Sequence, residues 1–165
     1  KLKAQLFGSA SIMGEVLKAQ EMLEKDYSVA TDIWSVTSYK ELHQDALQVD
    51  RWNRLNAGKK AKTSFVAEQL KDAKGVFIAA SDNMKILPDA LARHLPRPML
   101  SLGTDGFGRS ANRAALRRFF EVDRQHIALA AIEALVREGS VDHAVLVRAI
   151  SDFGIDPGAT APWKA

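Results

Sequence analysis

Three glycines, an aspartate, an arginine and two hydroxyl groups crowd into Gly103-Thr104-Asp105-Gly106-Phe107-Gly108-Arg109-Ser110. An apolar run ending at Leu102 precedes this stretch and reads as a strand. Ala111 to Phe120 follows and reads as a helix. Glycine permits backbone conformations closed to other residues. Ser110 is placed to cap the helix by accepting from its free N–H groups. A helix N-terminus leaving a tight loop attracts anions through those N–H groups and its dipole. The spacing Gly-x-x-Gly-x-Gly is not the dinucleotide fingerprint, and there is no Gly-Lys-Ser/Thr of a P-loop. Two readings stand, a phosphate-type anion site and a purely structural turn. Glycine loops have many uses, so the structural turn is the commoner of the two. A similar unit, Gly8-Ser9-Ala10-Ser11, follows the first strand, which makes Gly8, Ser9 and Ser11 candidates for the same edge.

Arg109, Arg113 and Arg117 recur every four residues and are expected on one helix face. Such a face suits a phosphate, an acidic partner or a neighbouring subunit. A solvated face with local pairs such as Arg117–Glu121 is the simpler account. Arg113 and Arg117, with Trp52 and Asn53, are the candidate interface residues. His43, His94, His126 and His143 form neither His-x-His nor His-Glu-x-x-His, which argues against a zinc site. No serine lies in a Gly-x-Ser-x-Gly elbow. Asp82, Asp105 and Asp123 stand where aspartates cap helices or close turns. The residues assemble no self-contained catalytic centre.

These groups must be held by a fold, and the pattern for one is clear. Leu2 to Phe7, Val29 to Val36, Gly75 to Ala80 and Pro96 to Leu102 read as strands. Helical spacing runs from Ile12 to Leu23, Tyr39 to about Asn56, Thr63 to Ala73 and Asp82 to Arg93. After Ala111 only helices remain: one capped by Asp123 and stopped by Gly139, and one from Ser140 through Ile150. Strands alternating with helices imply a mostly parallel sheet flanked by helices. Ligands on such sheets sit beyond the carboxyl ends of the strands, where Gly8–Ser11 and Gly103–Ser110 both fall. The domain is expected over residues 1–155, with 156–165 an irregular tail.

Composition narrows the function classes. The 165 residues suit one domain, and 47% hydrophobic content supports a real core. The net charge of +3 is mild and no basic block occurs, so no nucleic-acid partner is expected. Without cysteine there is no disulfide framework or thiolate chemistry. The apolar runs fall short of a membrane span, and no signal peptide is read at the N-terminus. Lys1 in place of Met implies a removed leader or a domain cut from a longer protein.

Six stretches, in order, carry a resemblance. They are Leu6 to Ile12, Asp32 to Leu42, Asp50-Arg51-Trp52-Asn53, Ala80 to Lys85, Leu102 to Ser110, and Phe120-Glu121-Val122-Asp123. Together they resemble the C-terminal domain of homodimeric-type pyruvate dehydrogenase E1 components, and more widely the transketolase C-terminal fold. The resemblance extends from about Leu2 to Ile155. It implies an α/β domain with a mostly parallel five-stranded sheet, the last of three domains of a cytoplasmic enzyme of glycolytic carbon flow. The parent reaction would be oxidative decarboxylation of pyruvate with reductive acetylation of the lipoyl group on E2, the dihydrolipoyl acetyltransferase. The implied cofactors, thiamine diphosphate and magnesium, would be bound by the other two domains across the dimer interface, with none on this chain. The implied role here is support of the homodimer and of the active-site surroundings, with no catalytic or cofactor-binding residue. The family often has Tyr where Asn83 stands and His where Asn56 stands. Two alternatives remain: a free-standing phosphate- or nucleotide-binding module, and the same domain of another thiamine diphosphate enzyme such as transketolase.

Overall fold

A computed structural model describes residues 1–165. Four strands, β1 (Lys3–Gly8), β2 (Ala30–Ser35), β3 (Val76–Ala80) and β4 (Met99–Leu102), form one parallel sheet in the order β2-β1-β3-β4. The sheet has one strand fewer than the resemblance implies. After Leu102 the chain holds only loops and helices, so β4 stays an edge.

Side chains alternate across a strand, and the two faces carry separate cores. Ala4, Leu6, Val76, Ile78 and Ala80 point to one face. There they pack with α1 (Met13–Tyr27) and α6 (Arg124–Arg137) through Val16, Leu23, Ile127, Ala131 and Leu135. Helix α7 (His143–Asp152) adds Ala149 from outside α6. Phe7, Phe77 and Ala79 point to the opposite face. They meet Tyr39 of α2 (Tyr39–Leu55), Val66 and Leu70 of α3 (Phe65–Leu70) and Leu91 of α4 (Ile86–Ala92). The first core is the larger, with 18 buried residues against seven. Gln5 is the exception inside β1, only 1% exposed. Its amide donates to Asp32 Oδ2 at 2.8 Å and to the Lys74 carbonyl at 3.0 Å, and it accepts from Trp34 Nε1 at 2.7 Å. Each polar atom is thereby paired, which is the condition for burying an amide.

Capping explains most helix starts. Ser38, Ser64, Asp123 and Asp142 each accept a backbone N–H from the first turn of the helix they precede. Three helices begin later than their sequence pattern suggests. Ser81-Asp82-Asn83 is spent on a turn, closed by the Asn83 N–H donating to Ser81 Oγ, so α4 starts at Ile86. Pro88 then sits in the first turn, where its missing N–H costs nothing. Helix α7 starts at His143, because Asp142 and not Ser140 supplies the cap. Helix α5 (Arg113–Phe119) is capped by Asn112, whose side chain accepts from Ala115 N at 2.9 Å. Ser110 therefore caps nothing.

Candidate functional site

Beyond the carboxyl ends of β1, β3 and β4 the chain encloses a cleft of about 480 Å3. From β1 comes Ser11, in the middle of a short 3-10 turn (Ala10–Ile12) that leads into α1. From β3 comes Asp82, and from β4 come Thr104, Gly106, Gly108 and Arg109. Helix α5 closes the remaining side with Arg113, Leu116 and Arg117. Ser11 Oγ donates to Asp82 Oδ2 at 2.9 Å, and Thr104 Oγ1 donates to the Asp82 carbonyl at 2.8 Å. These two bonds tie three loops, far apart in sequence, into one rim.

The glycine loop is held by close backbone approach. Thr104 N donates to the Asn83 carbonyl at 2.9 Å, and a Cβ at Gly103 would lie 2.5 Å from that same oxygen. Gly106 has φ +102°, a region that favours glycine. A Cβ there would lie 2.6 Å from the Pro162 carbonyl of the C-terminal segment, where Pro162 is buried. Asp105 is consumed locally: Oδ1 accepts from Lys85 N at 3.2 Å and Oδ2 pairs with Lys85 Nζ at 3.1 Å. Lys85 Nζ in turn lies 4.4 Å from the centre of the Trp163 ring. Gly108 has open space at its Cβ position and no positive φ, so its glycine is not sterically required.

The three arginines fall differently from the helical pattern. Arg109 lies outside α5 and stacks over Phe119 at 5.0 Å, with no ion pair. Arg113 is exposed and also makes no ion pair. Arg117 does not pair with Glu121. It reaches Glu15 Oε1 at 3.0 Å and the Ser11 carbonyl at 2.8 Å. Glu15, 7% exposed in its side chain, also accepts from Arg124 N at 3.1 Å and pairs with Lys18 at 3.2 Å. Burial pushes the Glu15 carboxyl up, but the Arg124 N–H and the Lys18 and Arg117 cations outweigh it and hold the carboxyl below its ordinary range. Glu15 was not among the sequence candidates. Its only signal is an acidic residue in the first turn of a helix whose neighbours are apolar.

The remaining candidates divide. Ser9 Oγ is buried without a partner. Asn53 holds a loop of its own chain, donating to the Lys62 carbonyl at 2.9 Å and accepting from Lys62 N at 2.8 Å. Lys62 Nζ lies 4.3 Å from the Trp52 ring centre. Asn56 donates to the Trp52 carbonyl at 2.9 Å. His126 Nδ1 lies 2.7 Å from Asp123 Oδ1 beside its helix cap. A second cavity of about 570 Å3 opens between β2 and helices α2, α3 and α4, lined by Phe7, Trp34, Tyr39, Leu42, Phe65 and Met99. Burial pushes the Tyr39 hydroxyl pKa well up, and that hydroxyl has no hydrogen-bond partner.

No three His, Cys, Asp or Glu side chains gather as a metal ion requires. Magnesium needs oxygen ligands, and the cleft offers one carboxylate, Asp82, already paired with Ser11. These residues do not fit a magnesium–diphosphate group. No helix is long and apolar enough to cross a membrane.

A parallel sheet in the order 2-1-3-4 with helices on both faces and loops gathered at its carboxyl edge defines a doubly wound α/β domain. The sequence matches the model of the transketolase-like TK C-terminal domain over residues 1–123, and the chain belongs to that family. It is 45% identical over 159 residues to the pyruvate dehydrogenase E1 component of Pseudomonas aeruginosa, covering 96% of this chain and 18% of that protein. The pyruvate dehydrogenase E1 component of Escherichia coli K12 is 40% identical over 166 residues, covering 100% of this chain and 18% of its own length. That of Mycobacterium tuberculosis is 38% identical over 160 residues, covering 97% and 17%. The chain thus spans less than a fifth of the curated relatives it matches.

Proposed function

We propose that this chain is the C-terminal domain of a pyruvate dehydrogenase E1 component. The observation that carries the reading is the collinear match of nearly the whole chain, at 38–45% identity, to proteins of that name. The parent would oxidatively decarboxylate pyruvate and reductively acetylate the lipoyl group of E2, the dihydrolipoyl acetyltransferase. Thiamine diphosphate and magnesium would be held by other domains of a cytoplasmic homodimer. Thiamine diphosphate supplies the carbanion chemistry when bound, while the protein orients and tunes it.

The role left for this domain is assembly. Around the glycine loop, Met84, Ile86, Leu87, Phe107 and Trp163 are each 41–83% exposed, with Phe107 the most. The Lys85–Trp163 and Gly106–Pro162 contacts bring these segments together. An exposed apolar patch of this kind is a contact surface, and the rest of the parent polypeptide is its natural occupant, since this chain matches only 18% of the relatives' length. The test is a comparison of the full-length protein with the 165-residue chain. With thiamine diphosphate and magnesium, pyruvate decarboxylation is expected from the former and not from the latter. Decarboxylation by the chain alone would overturn the assignment.

A further inference from the structure

We propose that the cleft between Ser11, Asp82, Arg109 and Arg113 binds a small phosphate ester. The inference rests on the E1 reading only for the full-length protein used in its test; the site itself rests on this chain's own residues.

The position is the first argument. In the order β2-β1-β3-β4 the chain leaves β1 toward β2 on one side and resumes at β3 on the other. The carboxyl ends of β1 and β3 therefore flank the point where the strand order reverses. There the loops diverge and leave a crevice, the common ligand position on open α/β sheets. Ser11 follows β1 and Asp82 follows β3, and both line the cleft.

Charge is the second argument. Three arginines line the cleft against one carboxylate, Asp82. Arg117 is already neutralised by Glu15 and fixed by the Ser11 carbonyl. Arg109 and Arg113 have no carboxylate partner, although the chain forms twelve ion pairs, Arg117–Glu15 among them. Arg109 is steadied by the Phe119 ring at 5.0 Å and makes no side-chain hydrogen bond or ion pair within the chain. Two unpaired guanidinium groups at one cleft match a phosphate, whose oxygens accept bidentate N–H donation. Gly108 leaves open space beside them.

The floor is the third argument, and it selects an ester over a bare ion. Ile12 and Val122 are 2% and 1% exposed, and with Leu116 and Phe120 they give the cleft an apolar base. Its volume of about 480 Å3 is within the roughly 300–1,000 Å3 of small-molecule sites. An anionic head on the arginines would leave an apolar or planar body on this floor. The Ser11–Asp82 pair at the rim offers a hydroxyl and a carboxylate to polar groups of that body.

The test uses the full-length protein, saturated with thiamine diphosphate and magnesium so that any diphosphate site elsewhere is filled. Adenosine monophosphate and inorganic phosphate are titrated by calorimetry into wild type, the Arg109→Ala/Arg113→Ala double variant and Arg148→Ala, a control on α7. Both substituted cleft residues are exposed, and an unchanged melting temperature verifies the fold. The expected result is saturable binding of adenosine monophosphate by wild type and Arg148→Ala, weakened at least about tenfold in the double variant. Inorganic phosphate should bind more weakly than the ester and lose affinity in the same variant. Equal binding by wild type and the double variant, or no heat with wild type up to about 10 mM, would overturn the proposal. Phosphate binding as tightly as the ester would overturn the ester class.

Discussion

Glu15 on α1 and Arg117 on α5 stand 102 positions apart and meet at 3.0 Å. The carboxylate also takes the backbone N–H of Arg124, the first residue of α6. One buried acid thus fastens three helices and fixes one wall of the arginine-lined cleft. Glu15→Gln removes the charge and should destabilise the chain by roughly 1.5–3 kcal/mol at neutral pH, the range for hydrogen bonds to charged groups.

The same acid sets a pH dependence. Its carboxyl is held below the ordinary value of 4.5 in the folded chain. A depressed carboxyl contributes stability that is present above the unfolded pKa and lost as pH falls through the folded one. Asp123 behaves alike: burial raises its carboxyl, and the His126 hydrogen bonds and the Arg118 charge more than reverse that. Denaturation midpoints should therefore fall below about pH 4.5 in wild type. Glu15→Gln should flatten the slope, leaving the shares of Asp123 and of Glu24 and Asp32, whose carboxyls hydrogen bonds also hold low. An unchanged slope would remove Glu15 from the account.

The glycine loop separates required from dispensable glycines. Gly106→Ala combines a positive φ with a Cβ 2.6 Å from the Pro162 carbonyl, and should cost roughly 1–3 kcal/mol. Gly103→Ala places a Cβ 2.5 Å from the Asn83 carbonyl and should cost a similar amount. Gly108→Ala meets nothing within 4 Å and should stay within about 0.5 kcal/mol of wild type. Thermal melts of the three variants check the order.

Gln5→Leu keeps the size of the side chain and removes three hydrogen bonds, to Asp32, Lys74 and Trp34. The half-buried Trp34 N–H loses its acceptor, and the expected cost is roughly 1–3 kcal/mol. Equilibrium unfolding in urea measures it; a neutral result would mean that water replaces the amide.

Phe107→Asp tests the assembly surface. In the isolated chain the ring is 83% exposed, so the change should shift stability by no more than about 0.5 kcal/mol. In the full-length protein the patch is expected to be covered, and the charge should lower the melting temperature or the dimer fraction in sedimentation. No effect in either form would place the contact elsewhere.

The sheet and most helices were legible because their signals are local. The strands Leu2–Phe7 and Gly75–Ala80 announce themselves by apolar pattern, and Ser38 and Asp123 by their place before helical spacing. What was not legible depends on distant partners. The sequence reading places the cap at Ser110, and the fold of the glycine loop moves it to Asn112. Arg117 finds Glu15 across the sheet edge where sequence spacing offers Glu121. The Asn112 cap leaves Arg109 outside the helix, where it lies over the Phe119 ring. The edge beyond the strands followed from the alternation of strands and helices; of the two stretches, Ser11 from the first and Thr104, Gly106, Gly108 and Arg109 from the second line the cleft there, and Gly8, Ser9, Gly103, Asp105 and Ser110 do not.

The central claim is tested most directly on the native protein. An antibody raised against this domain would capture it from source cells, and its chain mass and its activity on pyruvate would be read together. The account predicts a chain several times longer than 165 residues whose pyruvate decarboxylation requires thiamine diphosphate and magnesium. A chain of this size, or a longer one inert toward pyruvate with both supplied, would contradict it.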